Sequence, residues 1–226
     1  MIYLFLLAHL IADFLLQPYR LVVRKRYWDG LLLHGGIVMT CMFALVLVDR
    51  RVLALWPIMI GITIIHVIAD WWKVHRADRL FQPPIIPFIL DQFIHIATLI
   101  WALGLVLPAK ELWTLPTNVI EQLALYGIAY VIAASAVPIA VMVWKDPSFN
   151  YQSLAAPARV RSMLIGIIVI SLALFAQPIA LPAILIGFVI MAHRPASIHP
   201  LDTPAGMLVI LFAAAILGTT LNMMPV

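Results

Sequence analysis

Long apolar runs, interrupted at helical intervals by single histidines and aspartates, dominate this chain. A spanning helix needs about 17–25 mostly apolar residues. On that ruler there are eight candidates: residues 1–18, 28–48, 52–72, 84–107, 118–144, 163–176, 179–192 and 204–223. The sixth and seventh are short and joined only by Gln177-Pro178, so a tight hairpin or one re-entrant segment is an alternative. Pro138, Pro178 and Pro182 are expected to kink or end helices, because each removes a backbone donor. The pattern predicts an all-α polytopic bundle of about eight spans. Residues 1–108 form a polar-bearing membrane domain and residues 109–226 an apolar scaffold, with no internal repeat, low-complexity tract or soluble domain.

Composition supports the membrane reading. The chain is 65% hydrophobic and 11% charged, with a mean hydropathy of +1.08; a soluble domain is nearer half apolar and a quarter charged. The net charge of +4 is then explained by basic loops at one membrane face. No basic-aromatic interleaving points to nucleic acid. The single Cys41 excludes an internal disulfide framework, and the first 17 residues read as a retained helix, lacking a basic leader and a small-residue cleavage site. With the N-terminus outside, eleven of the fourteen Lys and Arg residues fall on the cytoplasmic side, leaving Arg50, Arg51 and Lys110 outside. Positive-inside bias therefore favours N-out and C-out in a bacterial inner membrane.

That orientation brings four helices into agreement. Asp13, His34, His66 and Asp91 each lie about 9–11 Å inside the cytoplasmic boundary at 1.5 Å per residue. The first run carries His9-x-x-x-Asp13-x-x-x-Gln17, the third His66-x-x-x-Asp70-x-x-Lys73, and the fourth Asp91-Gln92-x-x-His95. Residues four apart share a helix face, and ionisable groups at membrane depth usually face a bundle interior and mark a site. Imidazole nitrogen and carboxylate oxygen suit Zn²⁺ or a similar divalent ion. His34, His66 and His95 are the candidate ligands, with Asp70 or Asp91 completing the set or acting as base, and His9 with Asp13 as a supporting or proton-transfer pair. Gln17, Lys73 and Gln92 are candidate substrate contacts. The plainer explanation of any one pair is a hydrogen-bond network tying helices together.

Other polar residues carry less. Lys73 could meet a phosphate or carboxylate, but a lysine at a helix end more often reaches to the headgroups. His75, His193 and His199 read as solvated loop residues. Trp28, Trp71, Trp72 and Trp144 fall at the inner boundary, where aromatic belts occur. Glu121, in the first turn of the fifth run, favours the helix dipole.

The ordered set His9-Leu-Ile-Ala-Asp13-Phe-Leu-Leu-Gln17, a basic stretch with Lys25, Leu33-His34-Gly35, His66-Val-Ile-Ala-Asp70-Trp-Trp-Lys73 and Asp91-Gln-Phe-Ile-His95 resembles a bacterial membrane-protein family of unknown function. The resemblance covers about the first hundred residues. More weakly, the His-x-x-x-Asp signature is similar to inner-membrane metal-dependent hydrolases, which would make His66 and Asp70 metal ligands. The helix-borne histidines and carboxylates also resemble, in chemistry only, the seven-helix ceramidase and receptor-type hydrolases; the serine-histidine pairing of those enzymes is missing here.

Three readings follow. A hydrolase would act near the cytoplasmic leaflet on a lipid or lipid-linked substrate, a metal ion lowering the pKa of water. A transporter would use the same stripe as an ion or proton relay; the clustering at one side and the missing inverted repeat count against it. Haem b between two histidines has no need of the neighbouring aspartates. A non-enzymatic assembly factor is the bland alternative, and the sequence leaves oligomeric state open. Orientation is directly testable. In a chain with Cys41 replaced, a cysteine at position 76 should react only with a reagent that reaches the cytoplasm; labelling from outside would remove the shared-depth argument.

Overall fold

The computed structural model describes residues 1–113, 115–116, 118–146, 157–176, 182, 187 and 199–224, and among them it is helical with no strand. The elements are α1 (Ile2–Leu15), α2 (Tyr19–Arg24), α3 (Trp28–Leu47), α4 (Arg50–Leu80), α5 (Ile85–Gly104), α6 (Ala109–Trp113), α7 (Val119–Lys145), α8 (Pro157–Phe175) and α9 (Pro204–Met223). Six of them, α3, α4, α5, α7, α8 and α9, are long and apolar enough to cross a membrane. The chain is thus an integral membrane protein of the all-α polytopic class.

Of the eight runs, six meet such helices among the described residues. α1 ends at Leu15, because Pro18 cannot continue a helix and biases the residue before it away from helical geometry. At 1.5 Å per residue its fourteen residues rise about 21 Å, short of the roughly 30 Å hydrocarbon core. The sixth run is longer than expected, a full helix from Pro157 to Phe175. The seventh run, 179–192, lies outside the described residues apart from Pro182 and Gly187, as do Pro178 and His193. Pro138 neither ends nor breaks α7: the π-helical stretch Ile132–Ala136 directly before it opens the hydrogen-bond ladder, and the helix runs on to Lys145.

Two compact units divide the chain, Met1–Ile128 and Ala129–Val226. In the first, burial follows a pattern inverted from that of a soluble protein. Along α4 the inward positions are Met59, Ile62, His66, Ala69 and Asp70, while Ile64 and Ile68 are more than half exposed. α5 likewise turns Pro87, Asp91, His95 and Leu99 inward and Ile89 and Phe93 outward. Apolar side chains thus face the lipid and the polar ones are enclosed. Beyond the polar residues the core is wholly apolar, built on Phe5, Val38, Met42, Met59, Ile62 and Leu103. Glu121, expected only to favour a helix dipole, pairs with the amino group of Met1.

Small residues set the close approaches. A Cβ on Gly35 would fall 2.6 Å from Val67 Cγ2, so α3 and α4 pack tightly beside His34 and His66, as small interfacial residues allow in membrane bundles. A Cβ on Gly30 would collide with the Arg24 carbonyl oxygen; without it, α2 folds back onto the start of α3, and Asp29 accepts from Arg24 Nε at 2.6 Å. In the second unit, Gly166 packs on the Ala133 carbonyl and Gly218 on Ala173 and Ile170. Tyr130 bonds Ser171 at 2.7 Å, Asn222 Nδ2 donates to the Leu174 carbonyl at 2.8 Å, and Arg161 pairs with Asp202 at 2.6 Å.

Gly30→Ala should therefore destabilise the first unit by about 1–3 kcal/mol, the usual cost of forcing extra volume into a packed site. Gly36→Ala, where nothing lies within 4 Å of an added Cβ, should be neutral or stabilising by up to about 1 kcal/mol. Denaturant or thermal unfolding in detergent compares the two.

Candidate functional site

The first unit gathers its buried ionisable groups in one place. His9 and Asp13 come from α1, His34 from α3, His66 and Asp70 from α4, Asp91 and His95 from α5, and none is more than 8% exposed. The His66 and His95 rings stack with centroids 3.9 Å apart and planes 16° from parallel. His34 lies 5.1 Å from His66, and His9 lies 5.5 and 5.3 Å from His66 and His95.

Backbone irregularity aims the first of these groups. Asp13 sits inside a π-helical segment, Ile11–Leu15, closed by the Leu16 amide on the Ile11 carbonyl at 2.9 Å. Such segments are frequent at functional sites. Asp13 Oδ1 thereby reaches 3.2 Å from His34 Nε2 and 3.5 Å from His66 Nε2, while His9, one turn earlier, stands 3.9 Å from Asp13 Oδ2. The stripe inferred for Gln17 does not hold as helix, since Gln17 lies in the turn after α1.

Four atoms form a compact set: Asp13 Oδ1, His34 Nε2, His66 Nε2 and Asp70 Oδ2. Five of the six distances among them are 3.0, 3.2, 3.5, 3.5 and 3.4 Å. Three-atom faces with edges of this size put an ion about 1.8–2.1 Å from each atom, against the roughly 2.0–2.2 Å of zinc–nitrogen and zinc–oxygen bonds, and His34, His66 and Asp70 satisfy the mutual spacing of a ligand triad. Asp13, read from the sequence as a supporting residue, is thus a member of this set. His95 and Asp91 stand beside it, with His95 Nε2 3.3 Å from Asp91 Oδ1 and 3.8 Å from Asp70 Oδ1.

Two lysines compensate the carboxylates. Lys25 Nζ lies 2.7 Å from Asp70 Oδ2, and Lys73 Nζ lies 2.8 Å from Asp91 Oδ2. Lys73 does not reach out to headgroup level as expected, because α4 continues through Lys73–Ala77 as a π-helical turn that directs it at α5. Gln92 Nε2 donates to the same Asp91 oxygen at 3.1 Å. With its amide oriented for hydrogen bonding, Gln17 donates to the Asp13 carbonyl at 2.8 Å and accepts from Lys25 Nζ at 2.6 Å. The sequence reading named Lys25 only as part of a basic stretch and gave it no role. The available signal was its spacing from Leu21: four apart, at the C-terminal end of α2, both are only 5% exposed.

Several polar atoms are buried without a hydrogen bond of good geometry, among them His9 Nε2, Asp13 Oδ1, Asp91 Oδ1 and both ring nitrogens of His95. Such atoms normally find a partner. Next to them a void of about 10 Å³ is lined by His9, His66, His95 and Thr98 together with the apolar Val38, Met42, Ile62 and Leu99. It has room for about one water molecule. His75 lies apart from the cluster, bonding the Trp71 carbonyl at 2.9 Å and stacking on that indole.

One family model, described as a protein of unknown function (DUF3307), matches residues 1–124, the stretch that carries every residue of this cluster. No curated protein and no solved structure matches the chain, and no named homologue carries the hydrolase likeness.

The lysine pairing yields a prediction of its own. In chelator-treated protein, Lys25→Met should destabilise the first unit by about 3–5 kcal/mol by leaving Asp70 buried and uncompensated. The double variant Lys25→Met/Asp70→Asn should regain most of that loss, read by thermal unfolding in detergent.

Proposed function

We propose that this chain, which belongs to the DUF3307 family of proteins of unknown function, is a metal-dependent hydrolase embedded in the bacterial inner membrane. It acts near the cytoplasmic leaflet on a lipid or lipid-linked substrate. The observation that carries the reading is the close set of Asp13, His34, His66 and Asp70 around the His34–His66 pair, with ligand atoms 3.0–3.5 Å apart along five edges and enclosed in the bundle. Two imidazoles and two carboxylates favour Zn²⁺ among the common ions.

A divalent ion there supplies Lewis acidity and acidifies water toward neutral pH. The chain's own residues supply the rest. His9, its Nε2 buried, without a hydrogen bond and 3.9 Å from Asp13 Oδ2, is placed to take a proton. Lys25 and Lys73 neutralise Asp70 and Asp91 and offer ammonium groups to a developing negative charge. Gln17 and Gln92 orient the two lysines by bonding Lys25 and sharing the Asp91 oxygen held by Lys73. Positive-inside bias puts the Lys25 and Lys73 end of the first unit at the cytoplasmic face. A relay is less favoured, because beyond the histidines the unit's core is apolar, from Val38 and Met42 to Phe5 and Leu103, and no polar path leads onward among the described residues.

The test is bound metal per chain for wild type, His66→Gln and Asp70→Asn, beside thermal stability and ¹⁸O uptake from labelled water into the products of a bacterial lipid extract. Wild type should hold metal and incorporate label. His66→Gln should lose most of its metal while still inserting, since apolar runs decide insertion. Asp70→Asn should lose at least about 10–100-fold in metal affinity or turnover. Equal metal content in all three, or none in any, would overturn the reading; metal without label uptake would leave a metalloprotein that is not a hydrolase.

A further inference from the structure

We infer that Asp70, Asp91 and His95 form a second divalent-cation site, sharing Asp70 with the first, so that the centre holds a pair of ions. The inference rests on the metal-dependent reading above and deepens it. Asp70 turns its two oxygens to different neighbours. Oδ2 lies 2.7 Å from Lys25 Nζ and 3.5 and 3.4 Å from the Nε2 atoms of His34 and His66, whereas Oδ1 lies 3.8 Å from His95 Nε2. A carboxylate so placed can bind one ion through each oxygen.

Asp91 is prepared in the same way. Lys73 and Gln92 occupy its Oδ2, which leaves Oδ1 free and aimed at His95 Nε2, 3.3 Å away. Oδ1 of Asp91 and both ring nitrogens of His95 are buried with no hydrogen bond of good geometry, His95 being 2% exposed. An unpaired buried polar group is costly, and an ion bound by Oδ1 and Nε2 would offset that cost. Edges of 3.3 and 3.8 Å correspond to an ion about 2.0–2.3 Å from each atom, again in the range for nitrogen and oxygen ligands. Asp70, Asp91 and His95 also satisfy the mutual spacing of a ligand triad, as do His34, His66 and Asp70.

The imidazoles set the two sites side by side. His66 belongs to the first and His95 to the second, and their stacked rings turn their Nε2 atoms to the same carboxylate, one to each oxygen. Paired catalytic ions stand about 3.5–4 Å apart. The second set offers three protein atoms and keeps an open position, the arrangement of a catalytic ion. A second divalent charge next to Lys25 and Lys73 needs an anion to balance it, and that open position is where hydroxide or a substrate oxyanion would bind.

Manganese is the probe. The full chain, purified in detergent and stripped with chelator, is titrated with Mn²⁺ alone and followed by metal analysis and electron paramagnetic resonance. Wild type should bind about two ions per chain with the spectrum of a spin-coupled pair, as expected at this separation. Asp91→Asn and His95→Gln should each fall to about one ion with an uncoupled six-line spectrum, while melting as folded protein. One ion in wild type, or two without coupling, would overturn the shared site and leave the single-ion hydrolase reading in place. Failure of wild type to bind either Mn²⁺ or Zn²⁺ would overturn both.

Discussion

The first unit depends on mutual compensation among charges that none of its helices could carry alone. Asp13, Asp70 and Asp91 are enclosed at positions no more than 8% exposed, and an isolated carboxylate taken out of water costs several kcal/mol. Lys25 and Lys73 answer two of the three, and the Nε2 atoms of His34 and His66 lie within 3.5 Å of the other. Removal of any one member leaves the remainder unbalanced, so the helices that bring them must arrive together. In this sense the polar cluster specifies the packing of α1, α3, α4 and α5, since apolar contacts between helices and lipid are too alike to discriminate.

Departures from regular helix do the aiming. π-helical segments hold Asp13 and Lys73, and each swings a charged side chain toward a neighbour that a regular helix would have passed by. Gly30 and Gly35 act in the complementary way, by allowing backbones to come close. Their contribution is volume that is absent: α2 can lie against the start of α3 and deliver Lys25, and His34 can stand 3.0 Å from His66.

The parts of this structure that follow from periodicity were legible in the sequence. The all-α membrane class came from the apolar runs, and the pairs at His66/Asp70 and Asp91/His95 came from four-residue spacing within uninterrupted helix. The errors fall where periodicity stops. Gln17 was assigned to a helical stripe that Pro18 and the π segment cut short. Lys73 was sent to the headgroups because a one-turn extension of α4 leaves no trace in hydropathy. Lys25 was hidden among arginines, its role set by a glycine five residues later whose missing Cβ decides where α2 lies. Asp13 was found, but its place among the candidate ligands depends on a local change of helical pitch.

The void beside His9, His66 and His95 has a consequence for supply. At about 10 Å³ it has room for about one water molecule, to which the imidazoles and Thr98 could bond while Val38, Met42, Ile62 and Leu99 offer nothing. A reaction consuming water here would draw on a reservoir of one.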